Sequence, residues 1–180
     1  MNVSVREMKQ MDVEVIADYF RNASSFFLKG MGADKNKLPS RKDWIEKIRL
    51  EIETSIEVKE FYYIIWEINN EAVGHSNINK IVFGETATMH LHLWKENLRN
   101  KGVGVTLLKK TIPFYFRNFN LKKLICEPYA LNPAPNKVLP KVGFTFIKNY
   151  MTTPGWINFY QSVNRYEMTR QTFHTLFDNR

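Results

Sequence analysis

A glycine-bearing segment between a strand pattern and a helix pattern restricts the folds open to this chain more than any other feature. Arg99, Lys101, Gly102 and Gly104 follow the strand pattern of residues 86–94 and open an apolar helical repeat. Glycines let a backbone turn tightly, and the first amides of a helix are unpaired and partly positive. The segment therefore predicts a strand–turn–helix unit whose turn either binds an anion such as a pyrophosphate or only starts the helix.

Two common phosphate-binding motifs are excluded by the glycine spacing. A P-loop needs four residues between its glycines and then Lys and Ser or Thr, whereas Gly102 and Gly104 stand too close together. The dinucleotide fingerprint needs a third glycine where this chain has Leu107. An anion bound here would rely on the helix amides, with Arg99 and Lys101 adding formal positive charge.

The hydrophobic periodicity predicts one mixed α/β domain over residues 1–180. The predicted element order is β-α-α-β-β-β-α-β-α-β-β, followed by a short helix. The crossover over residues 86–127 should be parallel and right-handed. We also expect Pro113 to interrupt its helix and residues 29–39 to form a loop. The predicted strands cover residues 4–8, 61–68, 72–83, 86–94, 121–127, 144–150 and 162–168.

Composition excludes several classes of protein. The longest unbroken apolar run is residues 61–66, far below the roughly 18 residues of a membrane-spanning helix. Charges within residues 1–15 are not typical of a signal peptide. The single cysteine, Cys126, cannot form an intramolecular disulfide; it fits a buried strand position or a nucleophile, and the composition predicts a reducing cytoplasm. The formal net charge of +8 predicts an anionic partner or cofactor.

Two motifs in this element order resemble the GNAT superfamily of acyl-CoA-dependent N-acyltransferases. The first is Arg99-x-x-Gly102-x-Gly104, and the second is the stretch of residues 132–144 that begins Asn-Pro-Ala-Pro and ends Gly-Phe. The closing segment, residues 166–170 with a terminal helix, resembles the ribosomal-protein-acetyltransferase-like branch. The resemblance covers essentially the whole chain.

The resemblance implies a seven-stranded, mostly antiparallel sheet with helices on both faces and a V-shaped split between the fourth and fifth strands. It also implies acetyl-CoA as cosubstrate, with its pyrophosphate on the turn amides and its pantetheine arm in the split. No metal is expected, because His90-x-His92 lacks a third ligand at a recognisable spacing. The residues expected to bind the cofactor are Leu93, Trp94, Arg99, Asn100, Lys101, Gly102, Val103, Gly104, Val105, Thr106, Asn132 and Asn136.

The catalytic positions of the family are not retained. Thr88 stands where many members have a glutamate base, Leu139 replaces a tyrosine acid, and Pro135 replaces a serine. Strand parity instead places three histidines and two asparagines on one face, and the Gly84 turn predicts Asn79 beside His90 and Asn77 beside His92. Burying such a face without partners is costly, so we expect it to line a wet cleft. Candidate catalytic residues are His90, His92, Glu127 and Tyr129, and candidate acceptor-binding residues are His75, Asn77 and Asn79.

The predicted function is N-acetyl transfer from acetyl-CoA to a primary amine by direct attack. The acceptor is a protein N-terminus, an amino acid or a small amine. The alternative is a catalytically silent CoA-binding module of the same fold. A nucleic-acid-binding domain fits the charge but fits the aromatics less well, because they follow core periodicity. Phe26, Phe27 and the loop around Trp156 are interpreted as a substrate lid or a homodimer contact, and no membrane partner is expected.

Overall fold

A seven-stranded mixed sheet forms the centre of the computed structural model, which describes residues 1–99 and 101–178. Its spatial order is β1-β2-β3-β4-β5-β7-β6, and the β4–β5 pair is parallel while the other neighbours are antiparallel. The predicted fold class is therefore confirmed, and the element order agrees except for one additional helix before β2. The strands are β1 (Val3–Glu7), β2 (Tyr62–Ile68), β3 (Glu71–Val82), β4 (Thr86–Leu93), β5 (Lys123–Cys126), β6 (Thr145–Thr152) and β7 (Gln161–Thr169).

Six α-helical segments cover the sheet on both faces. Among the described residues, none of them is long and apolar enough to cross a lipid bilayer. The prediction missed one helix, which the Ser24 hydroxyl starts by accepting the Phe27 N–H at 3.1 Å and which ends at the beginning of the expected loop. The helices are α1 (Val13–Arg21), α2 (Ser25–Gly30), α3 (Arg41–Glu53), α4 (Val103–Asn118), α5 (Pro133–Val138) and α6 (Arg170–Phe173).

Helix α4 continues through Pro113, so the expected interruption is wrong. A proline removes the hydrogen bond to the carbonyl four residues earlier, here that of Lys109. Lys109 is exposed, and water can satisfy that carbonyl without breaking the helix. The helix therefore spans 16 residues along one face of the sheet.

The sheet separates two hydrophobic cores, and β4 contributes alternately to each. Met89 and Leu91 pack with α4, whereas Trp94 packs with the helices on the opposite face. This confirms the predicted parity of the strand, since successive side chains of a strand point to opposite faces. The histidine-bearing face therefore meets α1 and α3, and the aliphatic face meets α4.

The β3–β4 register differs from the prediction by one pair. Asn77 lies opposite His90 and His75 lies opposite His92, whereas Asn79 lies opposite Thr88. The cause is an irregularity between Asn79 and Val82, where Lys80 adopts a left-handed backbone with φ 48°. Extra residues in a bulge shift every pairing beyond it, and turn residues alone do not reveal a bulge.

Strands β4 and β5 separate soon after they pair. Their parallel ladder contains three residue pairs, from Thr86 with Lys123 to Thr88 with Ile125. Strand β4 continues to Leu93, so its last residues have lost their β5 neighbour. The result is the expected split in the sheet, referred to below as the gap.

Candidate functional site

The gap exposes one edge of the β4 backbone. The Trp94 N–H donates to the Val73 carbonyl of β3 at 2.8 Å. Hydrogen-bond direction alternates along an antiparallel strand, so the N–H and C=O groups of Leu91 and Leu93 face the gap. Leu93 can therefore still bind the cofactor through its backbone, as expected. The Trp94 N–H cannot, because it is already bonded to Val73. Leu91 was missed, because sequence parity describes side chains and not the direction of backbone groups.

The N-terminus of α4 opens beside this edge. Gly102 has φ 74°, and among the described residues no heavy atom lies within 4 Å of the place where a Cβ would be. At Gly104 the nearest such atom is Cγ2 of Val138 at 4.0 Å. Within the described chain no side chain caps this helix, so the N–H groups of Val103 and Gly104 remain available. The turn is therefore not enclosed by neighbouring side chains.

The other residues predicted around this turn have distinct positions. Val105 donates its N–H to the Gly102 carbonyl at 3.2 Å, so that amide is used inside the helix. Thr106 and Lys101 are exposed at the helix end. Asn100 lies outside the described residues, and nothing structural is concluded about it.

Arg99 is held against the end of β4 instead of extending into solvent. Its guanidinium contacts Leu93 O at 3.4 Å, Glu96 Oε1 at 3.3 Å and the Phe27 ring at 4.7 Å from the centroid. A cation over a ring face is attracted by the ring quadrupole. Arg99 therefore fastens the strand end to α2, and its positive charge lies near the exposed edge.

Asn132 and Asn136 make hydrogen bonds within the protein, and their contact with a cofactor remains a prediction. Asn132 caps α5 by accepting the Ala134 N–H at 3.3 Å. The Asn136 amide donates to the carbonyls of Tyr129 and Asn132, and its Oδ1 accepts from two side chains of β7, Asn164 at 2.8 Å and Tyr166 at 3.1 Å. With its hydrogen bonds made inside the protein, Asn136 supports the loop that ends at the gap.

The partly buried ring of His90 is held by Asn79, the neighbour that the sequence predicted. Its Nε2 lies 3.1 Å from Asn79 Oδ1, a diagonal contact across the shifted register. With Nε2–H donated to that oxygen, Nδ1 carries the lone pair. Burial, followed by the nearby Lys80 ammonium, lowers the pKa of His90 to about 4, and Glu127 acts weakly in the opposite direction. His90 is therefore a neutral hydrogen-bond acceptor at pH 7.

His75 lies in a buried aromatic cluster that His92, itself partly buried, completes, so the expected wet cleft is wrong for His75. His75 is 0% exposed, and its ring stacks on His92 with centroids 4.8 Å apart. Trp94 Nε1 donates to His75 Nδ1 at 2.9 Å, and Tyr19 and Phe20 pack on His92. Burial lowers the pKa of His75 to about 3 and that of His92 well below its usual range. Both support the site from behind, as does the buried Asn77 beside them.

This cluster predicts loss of stability in mild acid. In the unfolded chain these histidines bind protons below about pH 6.5, and in the folded protein they do not. Stability is therefore complete above pH 6.5 and falls by about 1.4 kcal/mol per pH unit for each of the two rings as the pH decreases toward their folded pKa values. Urea unfolding at pH 7.5 and 5.0 measures the loss.

The control for this prediction is His92→Phe. The substitution fills the same aromatic position and removes one of the buried titrating rings, so the dependence of the unfolding free energy on pH should become shallower. An equally steep dependence in this variant would show that other groups cause the acid loss.

Glu127 crosses from β5 to the outer strands instead of reaching freely into the gap. Its carboxylate pairs with Arg165 Nη1 at 2.9 Å and accepts a hydrogen bond from the Tyr150 hydroxyl. Both partners contact the same carboxylate oxygen, Oε1, and a role for Glu127 as a base remains a prediction. Cys126, beside it, is buried in the core and burial raises the pKa of its thiol, which favours the core interpretation over the nucleophile.

Tyr129 lies at the end of the gap, where it pairs with Val163 of β7 and packs edge-on against Phe159 at 5.7 Å. Its hydroxyl has no hydrogen-bond partner in the part of the chain that the structure describes. Tyr129 is half-exposed. Its hydroxyl is therefore available as a hydrogen-bond donor, and its role as a catalytic acid remains a prediction.

Two loops close the histidine side of the gap as one unit, here called the arch and defined as residues 29–39 and 153–160. Asp34 N donates to Ile157 O at 2.8 Å, and the Gly32 carbonyl accepts from Asn158 at 2.8 Å and from Gln161 at 2.7 Å. Gln161 is 3% exposed. The sequence predicted both loops, but no local pattern indicates that they are fastened together.

Phe26 and Trp156 have different surroundings. Phe26 is 88% exposed on α2, whereas the Trp156 ring packs edge-on against Trp44 at 5.9 Å. A role for either residue in a lid or a homodimer remains a prediction.

Gln161→Leu is expected to loosen the arch. The variant loses the donation to Gly32 O and a second one to Phe159 O at 3.1 Å, a loss of about 1–3 kcal/mol for buried polar groups. Hydrogen–deuterium exchange should become faster in residues 29–39 and stay unchanged in α4. Gln171→Leu, at an exposed position of α6, is the matched control. Unchanged exchange in the arch would contradict its fastening by Gln161.

The split sheet and the open helix end beside it are the features of a protein that binds a phosphate-bearing cosubstrate in a sheet gap. Residues 2–145 match the family model described as an acetyltransferase (GNAT) domain, so this chain belongs to the GNAT acetyltransferase family. The family prediction, and with it that of an acetyl-CoA-dependent acetyltransferase, is confirmed. Among curated proteins, no sequence matches the chain significantly.

Solved structures with the same fold bind different acceptors. One is the RimL ribosomal L7/L12 alpha-N-protein acetyltransferase with coenzyme A, at TM-score 0.74, 17% identity and 94% coverage of both chains. Another is spermidine N-acetyltransferase from Vibrio cholerae with CoA and spermine, at TM-score 0.76, 16% identity and coverage of 95% of this chain and 97% of that one. A third is the aminoglycoside acetyltransferase AAC(6')-Ib with coenzyme A and kanamycin, at TM-score 0.73, 17% identity and coverage of 97% and 98%.

Within residues 1–99 and 101–178, no group of three or more His, Cys, Asp or Glu side chains is arranged to hold a metal ion. The buried histidines are instead surrounded by aromatic rings; Trp94 donates to His75 Nδ1, while His75 Nε2 and His92 Nδ1 have no hydrogen-bond partner among the described residues. The sequence did not indicate six residues of this site, most of which reach it from distant segments. They are Tyr19, Lys80, Leu91, Tyr150, Gln161 and Arg165.

Proposed function

We propose that this protein transfers the acetyl group of acetyl-CoA to a primary amine by direct attack of the neutral amine. The observation that carries the proposal is the free β4 edge at Leu91 and Leu93, which leads to the open amides of α4 on one side and to His90 on the other. Acetyl-CoA supplies an activated acyl group as a thioester. The protein has to hold it, orient the amine and provide hydrogen-bond donors and acceptors at the reacting atoms.

The residues of the gap fit this cosubstrate. The Val103 and Gly104 amides and the positive end of α4 would hold the pyrophosphate, with Lys101 and Thr106 exposed beside them. The backbone groups of Leu91 and Leu93 would bond the pantetheine amides, and a free N–H there would donate to the carbonyl oxygen as it gains charge. Glycine at position 104 keeps a side chain out of this space.

His90 would accept a hydrogen bond from the amine through Nδ1 and so aim its lone pair. An imidazole whose pKa is about 4 is too weak a base to deprotonate an alkylammonium group efficiently. The amine therefore has to enter in its neutral form, and Asn79 fixes the ring that receives it. His92 and His75 keep this arrangement rigid from the buried side. As the C–N bond forms and the C–S bond breaks, Tyr129 would donate its proton to the departing thiolate and recover through solvent the proton that the nitrogen loses.

The test combines binding and turnover. Coenzyme A at 100 times its dissociation constant should stabilise the folded protein by about 2.7 kcal/mol, seen as a higher Tm. Release of free thiol from acetyl-CoA should then depend on an added amine, measured across amino acids, peptides, polyamines and amino sugars. Stabilisation with no amine-dependent thiol release would favour the silent CoA-binding module, and no stabilisation by any CoA species would refute both.

A further inference from the structure

We propose that Lys80 recognises an anionic group of the acceptor, so that the substrate is an amine carrying a carboxylate or phosphate close to its nitrogen. This inference rests on the proposed function and names the acceptor class for the same site. It combines the backbone placement of Lys80, the position of its ammonium and the charges that face His90.

The backbone of Lys80 is held in an uncommon conformation next to the site. Its φ of 48° lies in the left-handed region, which is unfavourable for a residue other than glycine. The irregularity that produces it begins directly after Asn79, the residue that holds His90. The Lys80 Nζ donates to the Pro154 carbonyl of the arch at 2.6 Å, which brings the ammonium to the wall of the acceptor side.

The carboxylates near this wall are already neutralised. Glu127 pairs with Arg165 at 2.9 Å, and Glu167 pairs with Lys123 at 2.9 Å and with Arg165 at 2.8 Å. The charges of the two acidic and two basic side chains in this network cancel. Lys80 has no carboxylate within ion-pair distance among residues 1–99 and 101–178, so its charge is the excess beside His90.

The arch adds charge of the same sign. Lys35 donates to the Ala23 carbonyl at 2.9 Å and Lys37 to the Asn158 carbonyl at 2.8 Å, so both ammonium groups are held by neutral groups. Asp34, the acidic residue of this stretch, accepts a hydrogen bond from the Asn36 backbone N–H through one carboxylate oxygen. A second cation on the acceptor would therefore be repelled here, and an anion would be attracted.

A matched set of acceptors tests the inference. The small-molecule set is 4-aminobutyrate, n-butylamine and 1,4-diaminobutane, whose amines have similar pKa values but whose other ends are anionic, neutral and cationic. The peptide set is the C-terminal amides of Ala-Glu-Ala, Ala-Gln-Ala and Ala-Lys-Ala. We expect kcat/KM to decrease from anionic to neutral to cationic by about tenfold per charge in at least one set. This is the order of magnitude for a unit charge in direct contact with an ammonium group near a protein surface. The set that is acetylated distinguishes small anionic amines from acidic peptide N-termini.

Variants of Lys80 assign the preference to this side chain. Lys80→Met should make the three acceptors of a set nearly equal, Lys80→Glu should invert their order, and Lys80→Arg should retain it. Lys42→Glu changes the same charge on the exposed face of α3, where its side chain is 83% exposed, and should leave the order unchanged. The dissociation constant of coenzyme A should stay the same in all four variants.

The outcomes separate this inference from the proposed function. Acetylation of all three charge types at equal rates, or a preference that survives in Lys80→Met, would overturn the role of Lys80 and leave amine acetylation standing. Absence of acetylation of any amine would refute the proposed function and the inference with it.

Discussion

Gly104→Asp is expected to weaken acetyl-CoA binding by at least about 100-fold, or about 2.7 kcal/mol, without loss of stability. The position has room for a side chain, since the heavy atom nearest to the place of a Cβ is Cγ2 of Val138, 4.0 Å away. An acidic residue in the first turn of a helix is favourable by about 0.3–1 kcal/mol. The same carboxylate would repel the pyrophosphate and fill the space that it needs. Binding and stability should therefore change in opposite directions.

Isothermal titration with coenzyme A and urea unfolding measure the two quantities. Gly104→Ala is the smaller step; it should raise helix stability by up to about 1 kcal/mol and weaken binding less than the aspartate. Gly30→Asp adds the same charge at an open position of α2 and should leave affinity unchanged. Wild-type affinity in Gly104→Asp would mean that the cosubstrate binds elsewhere.

His90→Ala is expected to lower kcat by about 100-fold, because the amine loses the hydrogen-bond acceptor that orients it. Affinity for acetyl-CoA should not change, because His90 lies on the other side of β4 from α4. His90→Asn can place an oxygen near the position of Nδ1 and should recover part of the rate. His174→Ala changes an exposed histidine of the terminal segment and serves as the control.

The pH profile distinguishes a neutral acceptor from a titrating base. Because the pKa of His90 is lowered to about 4, the wild-type kcat/KM should rise with pH in parallel with the neutral fraction of the acceptor amine. An inflection that belongs to the enzyme should occur near pH 4 and not near 6.5. An inflection near 6.5 that disappears in His90→Asn would contradict the neutral role.

Local signals predicted the elements around the gap. The glycine turn and the α4 repeat depend on neighbours within a few residues, and both are present. The parity of β4 was also readable, because a strand has a fixed period of two. These features are enough to place the helix end beside the fourth strand and to identify the histidine face.

The roles of individual side chains depended on partners that are distant in sequence. His75 is buried because Tyr63 and Trp94 close around it, and Glu127 is neutralised by a residue 38 positions away. The bulge at Lys80 shifted the register and replaced the expected Asn77–His92 pair. No periodicity encodes such contacts, so the sequence identified the polar face but not which of its members reaches the gap.

The most direct test of the central claim is a crystal structure of the protein grown with coenzyme A. We predict the diphosphate within hydrogen-bond distance of the Val103 and Gly104 amides, and the pantetheine arm along the β4 edge at Leu91 and Leu93. Coenzyme A bound at another surface, or a helix end left vacant at saturating ligand, would contradict the assignment of this gap as the acetyl-transfer site.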